Sequence, residues 1–319
     1  MLRSCLALAL LLVTSAAGAQ SWPERPLRIV VPFPAASTPD TFARILADHL
    51  GKRLEQPVIV ENKPGAGGMI GTDVVAKAAP DGHTIGVSIV GPLVNNRLLY
   101  KKIPYDPDRD LVPITIAVTQ ASLLVVPAGR NLRSLDELLA YLRAHPGGAN
   151  YGSIGVGSLS HLTMELVALR SGSEIVHVPY PGSGEVVRAL LAGDIDMACM
   201  PAISVLPHVR AGKLRAIGAT TAARSRLVPD VPTLSEQGLS GVDAGAWNGI
   251  VAPAGTPAPI VDRLRREIVA VLKDPEVVAA LHRQMMEVVG STPEEFRAHL
   301  EEERERWSAV IRKARITLD

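Results

Sequence analysis

The sequence predicts an α/β fold divided into two domains, on three observations. Strand signals and helix signals alternate through most of the chain, the pattern of strands joined by helical crossovers. The length of 319 residues is about twice the roughly 150 expected of a single domain. An apolar fraction of 47% against 20% charged residues is that of a packed globular chain rather than a disordered one.

The first residues read as a leader and not as structure. Arg3 gives a positive start, Leu6 to Val13 an apolar run, and Ala17-Gly18-Ala19 a small-residue cleavage site. Residues 1–19 are therefore expected to be a signal peptide cleaved before Gln20, with the rest exported. The run is too short to span a bilayer, which takes about 20 residues, and no later run approaches that length.

From Leu27 to Val31 the chain reads as a buried strand that Pro32 stops. Phe42, Ile45, Leu46, Leu50 and Leu54 recur at helical spacing from Asp40 onward. Val58 to Val60 is a strand, Gly65-Ala66-Gly67-Gly68 a loop, Met69 to Ala79 a helix, and Thr84 to Ile89 a third strand. The pattern then repeats. Strands at Leu123 to Val126, Asn150 to Ser153, Ile175 to Val178, Ile195 to Ala198 and Leu214 to Ala219 are expected. Helices at Ser134 to Ala144, Leu159 to Leu169 and Glu185 to Leu191 lie between them. Toward the end, Thr233 with Glu236 forms a capping box that signs a helix start. Thr256-Pro257 and Thr292-Pro293-Glu294-Glu295 sign two more.

Several function classes are excluded by composition. Lys plus Arg is 33 and Asp plus Glu is 32, so no net field invites nucleic acid or an anionic membrane. The two cysteines, Cys5 and Cys199, rule out a disulfide framework and a Cys-rich zinc site. Cys5 leaves with the leader, and Cys199 is expected as a buried small hydrophobe. Neither Gly65-Ala66-Gly67-Gly68-Met69-Ile70 nor Gly155-Val156-Gly157-Ser158-Leu159-Ser160 completes a dinucleotide fingerprint, and no phosphate-loop lysine follows. His161, His177 and His208 lack metal-ligand spacing. No cofactor and no metal are expected.

Three strand-to-helix loops are built from small and hydroxyl residues: Pro34 to Asp40, Gly152 to Ser158, and Tyr180 to Gly184. A helix N-terminus offers unpaired N–H groups and a partial positive charge, which receives a carboxylate without Lys or Arg. Small side chains let a ligand reach the backbone. Ordinary capping explains any one such loop, but in open α/β sheets all three lie beyond strand carboxyl ends, where ligands bind. Catalytic patterns are weaker. Ser158 and His161 could share a helix face, yet no nucleophile elbow surrounds either serine. Asp194 and Asp196 read as turn residues at a strand start. Trp247 reads as core, with a cleft-edge position open.

The chain resembles the periplasmic substrate-binding proteins of the tripartite tricarboxylate transporters, the Bug family. The resemblance is carried by Trp22-Pro23-Glu24-Arg25-Pro26-Leu27-Arg28-Ile29-Val30-Val31-Pro32-Phe33 and by Pro57-Val58-Ile59-Val60-Glu61-Asn62-Lys63-Pro64-Gly65-Ala66-Gly67-Gly68. It continues through Gly71-Thr72-Asp73, Ala79-Pro80-Asp81-Gly82, Val178-Pro179-Tyr180, Pro229-Asp230-Val231-Pro232-Thr233 and Ala252-Pro253-Ala254-Gly255-Thr256-Pro257. What it implies is a two-lobed periplasmic-binding-protein type II fold with a ligand cleft between lobes. One lobe would comprise 20–120 and 222–319, the other 121–221, with crossings near Thr119 to Leu123 and Ala219 to Ala223. The family's loop after the first strand usually reads P-F-x-x-G-G-x-T-D and holds a ligand carboxylate through backbone N–H groups and water. Here Phe33 and Asp40 match, while Ala36, Ser37 and Pro39 replace the glycines and threonine and stiffen the loop.

The resemblance implies a solute-binding protein that captures a small organic acid without chemistry. It would deliver the ligand to integral-membrane transporter subunits or a sensory partner, as a monomer. The expected ligand set is Ala35, Ala36, Ser37, Thr38, Asp40, Ser88, Ser153, Gly157, Ser158, His161, Tyr180, Gly182 and Ser183. An exported hydrolase using Ser158 and His161 is the alternative.

Overall fold

The computed structural model describes residues 22–318, so the expected leader over 1–19 lies outside the described residues. Among the described residues, eleven strands form two sheets. They are β1 (Leu27–Val31), β2 (Val58–Asn62), β3 (Thr84–Ser88), β4 (Leu111–Gln120), β5 (Ser122–Pro127), β6 (Ala149–Ser153), β7 (Ile175–Pro179), β8 (Met197–Pro201), β9 (Leu214–Ala219), β10 (Ala246–Pro253) and β11 (Glu287–Val288).

The two sheets share one ordering principle. In the first, β11-β4-β10-β3-β1-β2, the strands β1, β2 and β3 run parallel, and β10 is inserted antiparallel between β3 and β4. In the second, β7-β6-β8-β5-β9, the strands β6, β7 and β8 run parallel, and β5 is inserted antiparallel between β8 and β9. Each inserted strand is the one with which the chain enters that sheet from the other. Parallel strands need crossover connections, which brings their carboxyl ends, and the loops that follow, to one edge of each sheet.

The outward crossing is at Ala121, between β4 and β5. The return is longer. Before entering β10 the chain stays beside the second sheet: the N–H of Leu234 donates to Ala219 at 2.9 Å and that of Ala244 to Thr220 at 2.7 Å. Here the structure corrects one expectation. The Thr233–Glu236 box forms both of its hydrogen bonds, 3.0 and 2.7 Å, but turns follow it instead of a helix. Thr233 is bridged to Ala219 of β9, and Gly238 adopts φ +95°, which stops a helix within its first turn. The box at Thr292 does open a helix, Pro293–Ala314.

Helices Ala202–Arg210 and Pro275–Arg283 and strands β4 and β10 carry weak sequence signals. Pro207 falls inside the first helix and Pro113 inside β4, where a proline reads as a break. The strand expected from Ile195 starts instead at Met197. Asp196 is held outside it, its carboxylate accepting the Asn150 N–H at 2.7 Å and pairing with Arg130.

One apolar cluster joins the two halves. Val30, Leu93 and Val94 from the side of the first sheet meet Tyr151, Leu162 and Leu166 from the second, with Trp307, Val310 and Ile311 of the C-terminal helix among them. Cys199 is free and buried in this cluster, and burial pushes its thiol up to about 12, so it is inert. Among the described residues no helix is long and apolar enough to cross a membrane.

Candidate ligand-binding site

The first loop of each half is built alike. Ser37 follows β1 and precedes the helix Thr38–Leu54; Ser158 follows β6 and precedes the helix Leu159–Ser171. Both are N-caps of nearly the same conformation, φ −68° and ψ 160° for Ser37 and φ −65° and ψ 159° for Ser158. Their hydroxyls differ in what they do. Ser158 Oγ accepts the His161 N–H at 3.3 Å and donates to the Gly155 carbonyl at 2.6 Å. Ser37 Oγ is buried and has no partner. Pro39 accounts for part of this, since it supplies no N–H at a position that an N-cap oxygen ordinarily bonds.

Asp40 shapes the first loop from behind. Its Oδ2 accepts the Ala36 N–H at 2.8 Å and Arg44 Nε at 3.1 Å, and its Oδ1 accepts Asn62 Nδ2 at 2.8 Å. Asn62 Nδ2 also donates to the Phe33 carbonyl at 3.0 Å, tying the loop to the end of β2. Burial raises the Asp40 carboxyl, but the bonds from Arg44, Asn62 and Ala36 outweigh it and hold the group below its usual range. Arg44 and Asn62 went unassigned in the sequence, although Asn62 stands in the Glu61-Asn62-Lys63-Pro64 stretch already singled out. Ala36 sits at φ +63°, the left-handed region where a side chain costs roughly 1–2 kcal/mol. Ala36→Gly is expected to stabilise by up to about 1 kcal/mol once the added freedom of the unfolded chain is set against that relief. A thermal melt that falls below the parent's would contradict the strain.

Ser88 ends β3, beside β1, and its Oγ is also buried without a partner. In the second half Ser153, Gly157, Ser158 and His161 are tied together by the hydrogen bonds of the loop after β6, and Tyr180, Gly182 and Ser183 follow the neighbouring strand β7. β6 and β7 pair as parallel neighbours, and the Tyr180 N–H donates to the Ser153 carbonyl at 2.9 Å. Gly182 caps the helix Ser183–Ala192. Ser153 and His161 are 0% and 4% exposed; Ser153 Oγ meets His177 Nε2 of β7, and His161 Nδ1 accepts the Gly157 N–H of the loop. Ala35, Ala36, Ser37, Thr38, Asp40 and Ser88 gather at the edge of the first sheet. Among the described residues no hydrogen bond or ion pair joins the two sets. Gly157 lies instead against apolar residues outside both sets: a Cβ there would stand 2.8 Å from Leu99, which follows β3 in the chain, and from Leu318.

Ser158 and His161 do not make a nucleophile–base pair. The serine hydroxyl donates to a carbonyl, and His161 Nδ1 is taken up by the Gly157 N–H at 3.0 Å. The hydrolase alternative therefore lacks its first geometric requirement. Trp247 is 3% exposed and packs edge-on against Phe296 and His299. It also borders a cavity of about 250 Å³ where the chain crosses between sheets, with Gln120, Thr221, Asp243 and Glu303. None of the sequence-assigned ligand residues lines that cavity.

The profile of the tripartite tricarboxylate transporter family receptors (TctC) matches residues 42–316. The chain belongs to this family. BugT of Bordetella pertussis is 39% identical over 304 residues, covering 94% of this chain and 93% of BugT. Among solved structures, Rpa4515 of R. palustris with adipate superposes with a TM-score of 0.81 at 33% identity, covering 93% of this chain and 99% of the other. MatC from Rhodopseudomonas palustris with bound malate gives 0.76 at 33% identity, covering 91% and 100%. The TctC chain thus has the two-lobed periplasmic-binding-protein type II fold, and its paired sheets with an inserted antiparallel strand in each are the two lobes' frameworks.

Proposed function

We propose that this TctC-family chain binds a small carboxylate in the cleft between its lobes and releases it unchanged. The observation that carries the reading is a pair of buried hydroxyls without partners, Ser37 and Ser88, at the carboxyl edge of the first sheet. A buried polar group left unmade costs roughly 1–3 kcal/mol, so these oxygens are suited to a ligand or to water that bridges to one. The three loops contain no Lys or Arg, which leaves helix N-termini, hydroxyls and water to satisfy an anion. That two relatives of the same fold hold adipate and malate supports a dicarboxylate.

In this reading Ala35, Ala36, Ser37, Thr38 and Ser88 line one side of the cleft, and Gly157, Ser158, Tyr180, Gly182 and Ser183 the other. Asp40, Ser153 and His161 hold the loops. The lobes close about Ala121 and the segment entering β10, and the closed form is what integral-membrane subunits or a sensory partner recognises. The chain works as a periplasmic monomer after loss of its leader.

The test is a calorimetric titration with mono- and dicarboxylates on the parent, Ser37→Ala and Ser88→Ala. A bound carboxylate at about 100 times its Kd adds about 2.7 kcal/mol to stability. Loss of one hydroxyl that meets a charged oxygen weakens binding by about tenfold to a hundredfold, with little change in the unliganded melt. The reading is wrong if no carboxylate binds, or if a bound one is indifferent to both substitutions.

A further inference from the structure

Beneath the Gly155–Ser158 loop two histidines lie ring over ring. His161 of the helix Leu159–Ser171 and His177 of β7 are 3.8 Å apart between centroids, with their planes 9° from parallel. Tyr151 of β6 extends the stack at 5.0 Å from His177. Each imidazole holds the loop at a different point. His161 Nδ1 accepts the Gly157 N–H at 3.0 Å, so that nitrogen carries no proton and the ring is the Nε2–H tautomer. His177 Nε2 lies 2.6 Å from Ser153 Oγ, which in turn accepts the Gly155 N–H at 3.2 Å.

The loop is also fixed on its outer side. Gly157, at φ +76°, leaves no room for a Cβ between Leu99 and Leu318, and the Leu318 N–H donates to the Leu99 carbonyl at 2.9 Å. Leu99 is in the segment that follows β3, so the loop touches the other half of the molecule at this point. A change in the histidines is therefore felt both in the loop and where the halves meet.

We propose that His161 and His177 are a positioning pair: both rings must be uncharged for the Gly155–Ser158 loop to present its backbone to a ligand, and a proton on His161 Nδ1 releases the loop. The proposal rests on the loop being part of the carboxylate site. Protonation at Nδ1 would turn the acceptor of the Gly157 N–H into a donor aimed at it. A second charge would set two cations face to face at 3.8 Å. The Glu165 carboxylate faces the pair: its Oε1 is 3.9 Å from His161 Nε2 and accepts the Tyr151 hydroxyl. It favours a charged ring, but burial and the neighbouring His177 outweigh it. On the C-terminal helix, Lys313 lines a groove with Glu165 that includes neither histidine. Burial lowers both rings, His161 to about 4, with the His177 charge a further cause for His161.

The experiment is an NMR titration of the isotope-labelled full chain from pH 7.5 to 3.5, with adipate and malate affinities measured over the same range. It compares the parent with His161→Asn, which keeps an acceptor near the Nδ1 position but cannot titrate, and His161→Phe, which keeps the stacked ring without the acceptor. The Gly157 amide should move along the same curve as the His161 ring. Parent affinity should fall relative to His161→Asn, about twofold at the ring's midpoint and about fourfold half a pH unit below it. The probes' own titration is common to both chains and drops out of the difference. At pH 7.5 His161→Phe should bind at least tenfold more weakly than the parent, and His161→Asn should recover most of that loss. A Gly157 amide indifferent to the ring, parallel pH profiles for parent and His161→Asn, or parent-like binding by His161→Phe each overturns the proposal. If neither probe binds at any pH, the carboxylate reading has failed on its own. The pair is then decided by the Gly157 amide in the unliganded chain: movement with the ring upholds it, and indifference overturns it.

Discussion

Gly71→Ala is expected to destabilise the chain by about 3 kcal/mol and to lower the melting midpoint by on the order of 10 °C. A Cβ at Gly71 would stand 2.6 Å from Pro32 Cα and 2.7 Å from the Lys63 carbonyl oxygen. Both are backbone atoms, so no flexible side chain can swing aside. The helix Met69–Ala76 would have to draw back from the end of β1. Pro32 leads directly into the loop that Asp40 and Asn62 shape, so carboxylate affinity should fall along with stability. Gly129→Ala is the control, because a Cβ there meets nothing within 4 Å. Its melt should match the parent's to within about 0.5 kcal/mol. A Gly71→Ala chain that melts with the parent would show that the close approach does not constrain the loop.

The second large effect is expected in acid. In the unfolded chain His161 takes a proton near its ordinary value of about 6.5, whereas in the folded chain burial and His177 hold it down to about 4. Between these values the unfolded state binds more protons, so stability falls as pH drops from about 6.5 and the loss is complete once the folded value is passed. The gap corresponds to about 3 kcal/mol. His177, also lowered by burial, acts with the same sign. Asp40 adds to the loss only at lower pH, when its carboxylate is protonated and its bonds to Arg44, Asn62 and the Ala36 N–H weaken. Denaturant melts at pH 7, 5.5 and 4 should show the parent losing more stability than His161→Asn. Equal losses in the two chains would remove His161 as the cause.

Elements whose signals are local were legible in the amino-acid sequence. β1 and β9 lie where the apolar runs stand. The C-terminal helix opens at the Thr292 box because both of its hydrogen bonds span three residues. The three loops of small and hydroxyl residues do stand at strand carboxyl ends. Elsewhere a local signal lost to a distant partner. The Thr233 box made its bonds, yet pairing with β9 and a left-handed Gly238 kept the following residues out of a helix. β4, with Pro113 inside it, holds as a strand because β10 runs beside it for most of its length.

The sequence by itself determined that this is an α/β chain of the TctC family whose candidate loops lack basic residues. It also determined which loops those are, because strand ends, caps and glycines are written in neighbouring residues. Only the tertiary structure decided what each loop residue does. Two serines that read alike were separated: Ser158 is spent on its own helix, and Ser37 is left without a partner. Asp40 was bound to Asn62, 22 positions away, and His161 was laid on His177, 16 positions away. No spacing rule relates such pairs. They meet because parallel neighbours bring the ends of β1 and β2, and of β6 and β7, to the same edge, and the free energy of a buried polar atom depends on what the fold sets against it.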